Sequence, residues 1–161
     1  MKKDMFLIVN NLLTPGECEK LIKLYKDHQH LNVKWPPGAT GPCAHAIDST
    51  KVLHPLLSLV LKRMEKTVQK YFNSKITIDW SELKQHDKEA SHNLHYDGTS
   101  NKTILSSITY LNTLTSGHTY FMDGTQVCPK AGRMIIFNGC KYRHGAKVTT
   151  KERHTIPVWY K

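Results

Sequence analysis

The stretch K-I-T-I-D-W, residues 75–80, is where the chain changes its period. Ile76, Ile78 and Trp80 alternate with polar residues, the step of two that turns one face of a β-strand toward a core. Short runs of the same kind follow at ILSSITYLN (104–112), RMIIF (133–137) and HTIPVWY (154–160). Turn-type residues part them: SGH (116–118), MDGT (122–125), PKAGR (129–133) and NGC (138–140). Many short strands with turns between them predict a β-sandwich or β-barrel for this part of the chain.

Upstream, the period is that of a helix. Thr14-Pro15-Gly16-Glu17 reads as a helix start, with Thr14 as N-cap, Pro15 in the first turn and Glu17 closing a capping box. Cys18, Leu21, Ile22 and Tyr25 then recur on one face. From His54-Pro55, a second stripe of Leu53, Leu56, Val60, Met64, Val68 and Tyr71 predicts the longest helix, with Met64 as core filler. Between the two helices, LNVKWPPGATGPCAHAIDST (31–50) is rich in Pro, Gly and small residues, and is expected to lack regular structure. Such a surface excursion is either a substrate lid or a tolerated connector. The architecture is therefore α+β, mainly β: two N-terminal helices packed on a β-barrel or double-sheet jelly roll, with helical support over 14–73 and the β core over 76–161.

With 161 residues and 39% hydrophobic content, a single domain spanning 1–161 is expected. No stretch approaches the roughly 18 apolar residues of a membrane span. The opening MKKDMFLIVNN has a basic start but too short an apolar run for a secretory signal, so the expectation is a soluble cytoplasmic protein. Cys18, Cys43, Cys128 and Cys140 show no C-x-x-C spacing, which argues against a zinc knuckle or a dithiol motif and predicts reduced, packed thiols. The formal charge of +10 suits an acidic or phosphate-bearing partner. Its lysines, however, are spread along the chain, as on a solvated basic surface.

The residues that carry chemistry begin in SHNLHYDG (91–98). His95 and Asp97 are two apart, so in an extended chain an imidazole and a carboxylate project together. A third ligand is available at His144, in KYRHGAKV (141–148). Two histidines and a carboxylate on one face of an octahedron leave open positions, which is what non-haem Fe(II) needs to bind a co-substrate and dioxygen together. Alone, H-x-D is a weak signal in a chain with ten histidines and thirteen acids. Arg153, with Thr155 on the same strand face, strengthens it, because a guanidinium backed by a hydroxyl matches a carboxylate.

The ordered blocks HYD, SSITYLN, a glycine-rich turn with TYF, PKAGRMIIF, RHG and RHTIPVWY resemble the prolyl 4-hydroxylase-like branch of the 2-oxoglutarate/Fe(II) oxygenases, most closely the hypoxia-sensing prolyl hydroxylase type. The likeness runs from Glu82 to Lys161, and NNLLTPGECEKLI (10–22) is similar to that family's entry segment. It implies a double-stranded β-helix in which His95, Asp97 and His144 bind Fe(II). It further implies that Arg153 pairs with the distal carboxylate of 2-oxoglutarate, that Tyr110 offers its hydroxyl to the same group, that Thr155 is an accessory hydroxyl and that Trp159 is an aromatic wall. Where the family carries a tyrosine near this co-substrate, the chain has LKQHD (83–87), so Gln85 or His86 stands there, and Gln85 could hydrogen-bond a keto acid. His86 and His92 lack a carboxylate two residues on and are read as surface or supporting groups. The implied reaction is O2-dependent hydroxylation of a C–H bond with release of succinate and CO2, with ascorbate as a candidate reductant. The implied substrate is a prolyl residue in a protein or peptide, and the expected enzyme is a monomer in a microbial cell or virus-infected host. An oxidative demethylase or hydroxylase of nucleic acid or of a small molecule is the alternative, the nucleic-acid form being the lesser because the second arginine expected six residues after Arg153 is Trp159. A catalytically silent jelly-roll binding module is a third.

Overall fold

A computed structural model describes residues 6–73, 75–97 and 104–161; the basic opening, Met1–Met5, lies outside them. Helix α1 (Pro15–Asp27) starts as the sequence predicts. Thr14 Oγ1 accepts the Glu17 N–H at 3.2 Å, and the Glu17 carboxylate accepts the Thr14 N–H at 2.9 Å. Helix α2 (Pro55–Tyr71) is tied to this cap by Arg63, whose two terminal nitrogens reach the Glu17 oxygens at 2.8 and 2.9 Å. The Arg63 fork and the Thr14 N–H hold the Glu17 carboxyl down at about 2 against burial. A folded pKa below the ordinary value means stability that is fully present above pH ~4.5 and lost as the pH falls toward 2. Glu17→Gln should therefore cost about 1–2 kcal/mol at neutral pH, discounted for the exposure of Arg63. Thermal unfolding at pH 7 and pH 3 should show that gap closing in acid.

The stripe of α2 differs at its ends from the expectation. Leu57, Val60, Met64 and Val68 are buried, whereas Leu53 is 95% and Tyr71 53% exposed. Pro55 opens the helix, so Leu53 precedes it and never joins its face; counting from Pro55 puts Leu57 rather than Leu56 over the sheet.

The described residues form eleven strands: β1 (Phe6–Val9), β2 (Val33–Trp35), β3 (Ala44–Asp48), β4 (Ile78–His86), β5 (His92–His95), β6 (Leu105–Tyr110), β7 (Thr119–Phe121), β8 (Gln126–Val127), β9 (Met134–Phe137), β10 (His144–Ala146) and β11 (Arg153–Tyr160). A seven-stranded sheet has the order β1-β9-β6-β11-β4-β3-β2, and a four-stranded sheet the order β5-β10-β7-β8. All their pairings are antiparallel. This is the double-stranded β-helix expected from the resemblance, with both helices against one face of the larger sheet.

The segment 31–50 corrects the sequence reading. Val33–Trp35 and Ala44–Asp48 pair with each other, and Ala44–Asp48 pairs in full register with β4. The Pro and Gly residues fall in the turn between the two strands, so the punctuation marks a hairpin tip rather than an irregular loop. Without β3, the backbone groups of β4 on that side would go unpaired.

Alternation sorts the side chains of the large sheet. Leu83, Met134, Ile136, Ile156, Val158 and Tyr160 join Leu21, Val60 and Met64 in the helix-side core. Tyr110, Phe121, Val127, Ile135 and Phe137 form a smaller core between the sheets. Cys18 and Cys43 are packed as expected, but Cys128 is exposed and Cys140 half-buried. Cys128 follows the short edge strand β8, with its Sγ 2.8 Å from His118 Nε2. No helix among the described residues is long and apolar enough to cross a membrane.

Candidate metal centre and its pocket

His95 ends β5 and His144 opens β10, and the two are direct cross-strand partners. That register brings together residues far apart in the chain, with ring centroids 4.5 Å apart. Asp97 sits just beyond β5, held by its N–H on the Gly139 carbonyl at 2.9 Å. Its Oδ1 lies 3.5 Å from His95 Nε2 and 3.5 Å from His144 Nε2. The Nδ1 atoms of His95 and His144 face the backbone carbonyls of Asn93 and Tyr142 at 2.9 and 3.2 Å. A carbonyl can only accept, so each Nδ1 carries the proton and each Nε2 lone pair is free to coordinate.

Burial works against the Asp97 charge, yet the His144 and His95 rings beside it outweigh burial and keep the carboxyl far below its usual range. Burial would likewise depress His95, but Asp97 and the Asn93 carbonyl raise it. A proton shared within this cluster is what a cation would displace. The three donor atoms lie within 4.8 Å of one another, close enough to hold a single metal ion.

Gly139 allows Asp97 to sit there. A Cβ at this glycine would collide with Ser106 Oγ and the Asp97 carboxylate, and lie 2.8 Å from Asp97 Cβ. Gly139→Ala should leave the β-sheet signature in circular dichroism intact while lowering metal affinity roughly 10–100-fold in a competition titration, the scale seen when a ligand's support is disturbed.

Behind the three donors, Arg153 opens β11 and is 3% exposed. Its Nη2 donates to Thr119 Oγ1 at 3.0 Å, that oxygen lies 2.6 Å from the Tyr110 hydroxyl, and the guanidinium sits 5.3 Å over the Tyr110 ring. Among the described residues it has no carboxylate partner, and its Nε has no hydrogen bond. Burial pulls its pKa down, as expected for a cation whose charge is not compensated. His86 Nδ1 lies 3.4 Å from Arg153 Nη1, and His86 is kept neutral by burial first and by Arg153 second. With Nδ1 facing a guanidinium, the proton falls on Nε2, a second buried donor without a partner among the described residues. An uncompensated cation and an orphaned N–H facing one cavity call for an anion.

No protein-family model and no curated protein matches the chain. Solved structures do. The viral collagen prolyl hydroxylase of Paramecium bursaria Chlorella virus-1, in complex with 2-oxoglutarate, superposes with a TM-score of 0.74 at 18% identity, over 97% of this chain and 94% of that one. The fold is that of the 2-oxoglutarate/Fe(II) oxygenases. A Trichoplax adhaerens prolyl hydroxylase bound to a hypoxia-inducible-factor peptide gives 0.71 at 16%, over 98% of this chain and 84% of that one. The epimerase SnoN, in complex with Fe3+, α-ketoglutarate and nogalamycin RO, gives 0.80 at 14%, over 99% and 79%.

Within this oxygenase fold, the sequence-selected residues fall as follows. His95, Asp97, His144, Arg153, Thr155 and Trp159 line one pocket between the sheets. Tyr110 touches it through Thr119 and Arg153. Gln85 does not reach it. The side chain turns to Asp87 Oδ1 at 3.3 Å, while its neighbours Lys84 and His86 face the cavity. The register of β4 with β11, His86 opposite Arg153 and Lys84 opposite Thr155, decides which residues of LKQHD point inward. Of the two readings given for His86 and His92, surface or supporting group, the geometry favours the second: His86 is 4% exposed, and the His92 ring stacks on His95 at a centroid distance of 4.2 Å. Burial and the nearby His95 depress the His92 pKa to about 3, so it is neutral. Thr119 and Lys84 are thus pocket residues that the sequence reading did not name, and of the pair Gln85 or His86 it is His86 that faces the cavity. The block TYF contained Thr119, but nothing local separated it from other threonines.

Proposed function

We propose that the chain is a 2-oxoglutarate- and Fe(II)-dependent dioxygenase that hydroxylates a prolyl residue of a protein or peptide. The observation that carries this reading is the buried Arg153, without a carboxylate partner among the described residues, facing the same cavity as the three converging donors. The donor set, two imidazoles and one carboxylate with no thiolate, suits Fe(II). When bound, Fe(II) and 2-oxoglutarate would activate dioxygen, which takes two electrons from 2-oxoglutarate, giving succinate and CO2, and two from the substrate C–H bond, leaving it hydroxylated.

The protein's own part is positional. His95, Asp97 and His144 hold the metal, and Arg153 takes the distal carboxylate of the co-substrate with Thr119, Tyr110 and the His86 N–H around it. Thr155 lines the same cavity, and Trp159 walls its mouth. Outside lies a groove of about 680 Å³, bordered by Val33, Trp35, Trp80, Tyr96 and Trp159. Trp80 and Trp159 are cross-strand partners, and their flat faces suit proline rings. Asp48, Asp79 and Glu82 border this groove together with Lys51 and Lys84, so the charge of +10 is not gathered here as a phosphate backbone would require. Ascorbate as a reductant, a monomeric state and residence in the cytoplasm complete the reading.

Anaerobic addition of Fe(II) and then 2-oxoglutarate should give the weak visible charge-transfer band of the chelate. Exposure to 18O2 with proline-rich peptides should then yield succinate and a product heavier by one labelled oxygen. No band would make the chain a silent binding module. A band with turnover only on small molecules or nucleic acid would sink the prolyl assignment.

A further inference from the structure

A second cluster of metal-binding side chains stands on the helix-side face of the large sheet, away from the pocket. Cys43 and His45 are two apart at the start of β3, and Asp87 follows the end of β4. The Asp87 N–H donates to the Cys43 carbonyl at 3.0 Å, which holds the two strand ends in register. His45 Nε2 lies 3.0 Å from Asp87 Oδ2 and 3.7 Å from Cys43 Sγ, and all three donor atoms lie within 4.8 Å of one another. Such separations match the edges of a tetrahedron around an ion with metal–sulfur bonds of about 2.3 Å and metal–nitrogen or metal–oxygen bonds of about 2.0–2.2 Å.

The carboxylate is fixed in place. Asp87 Oδ2 also accepts the Cys43 N–H at 3.2 Å, and Oδ1 accepts from Gln85 Nε2 at 3.3 Å. The thiol is nearly fully buried, while the His45 and Asp87 side chains are 20% and 33% exposed, which leaves a solvent-side position for a water as fourth ligand. An ion pair between His45 and Asp87 would need no thiol beside the same nitrogen. We propose that Cys43, His45 and Asp87 form a second metal site, for Zn(II) or a cation of like softness, distinct in donor chemistry from the thiol-free cluster at Asp97. Its place gives it a structural role. Asp87 directly follows His86, whose cross-strand partner is Arg153, so an ion here clamps the strand end that carries the anion-binding wall.

The test uses Co(II) alone as probe, titrated into the chain carrying Asp97→Ala to remove the first site and Cys128→Ser to remove the exposed thiol. One equivalent should bind with a near-ultraviolet sulfur-to-cobalt charge-transfer band and the visible bands of a four-coordinate ion. Adding Zn(II) should bleach these bands and raise the unfolding midpoint by about 5 °C or more when the site is saturated. Cys43→Ser should abolish the near-ultraviolet band, and His45→Gln, a partly exposed position, should weaken Co(II) binding at least about tenfold. A missing thiolate band, or one that survives Cys43→Ser, overturns the site. If Cys43→Ser does not fold, His45→Gln decides, and full cobalt affinity in that variant overturns it as well. Neither readout depends on turnover, so loss of the prolyl hydroxylase reading leaves this one standing.

Discussion

An Asp97→Ala variant is expected to lose iron binding and turnover together. Asp97 supplies the only anionic donor of the cluster, and both imidazole Nε2 atoms stand 3.5 Å from its Oδ1. Without it, two neutral nitrogens remain, and a divalent cation would enter a largely buried site with no charge to meet it. A loss of metal affinity of at least about 3 kcal/mol, over a hundredfold, follows from removing one charged member of a buried pair. Asp97→Asn separates charge from shape, since it keeps the volume and one acceptor oxygen; it should lose nearly as much iron affinity as the alanine variant. Iron content after anaerobic loading and gel filtration measures both. Retention of stoichiometric iron by either variant would remove Asp97 from the ligand set.

Arg153→Met is expected to move two properties in opposite directions. Affinity for 2-oxoglutarate should fall by roughly 2–5 kcal/mol, the cost of leaving a buried carboxylate without its charged partner. Stability of the chain without ligand should hold or rise, because a buried guanidinium that lacks an anion is a cost in that state, and an apolar side chain of similar length relieves it. Thr119 and Tyr110 keep each other as partners at 2.6 Å, so the substitution strands neither hydroxyl. Thermal unfolding without ligand and a 2-oxoglutarate titration of the Fe(II) form read the two effects separately. A lower melting temperature with unchanged co-substrate affinity would make Arg153 a structural residue and would remove the main support for the proposed function.

Several parts of the site were legible in one chain because their signals are local. His95 and Asp97 sit two apart, Arg153, Thr155 and Trp159 alternate along one strand, and each relation follows from the pleat alone. The Thr14-Pro15-Gly16-Glu17 cap was legible for the same reason, since its hydrogen bonds close within four residues. Gln85 shows the limit. Pleating says that Gln85 and His86 point to opposite faces, but which one faces the pocket depends on the pairing of β4 with β11. Lys84 and His86 share that ambiguity, whereas Thr119 on β7 gave no local signal of its own. Cys43-x-His45 went unread because its carboxylate lies on another strand, and because the segment around it looked like an irregular loop.

Local chemistry was thus enough to specify one capped helix and a second amphipathic one, the change to short strands, the juxtaposition of His95 and Asp97 and the strand face that carries Arg153. Long-range pairing settled the rest. It set His144 opposite His95, turned His86 rather than Gln85 toward Arg153, built a hairpin out of residues 31–50 and brought Asp87 to Cys43. The physical reason is that side-chain direction along a strand follows from covalent geometry, whereas strand partners are chosen by burial and hydrogen bonding over the whole fold.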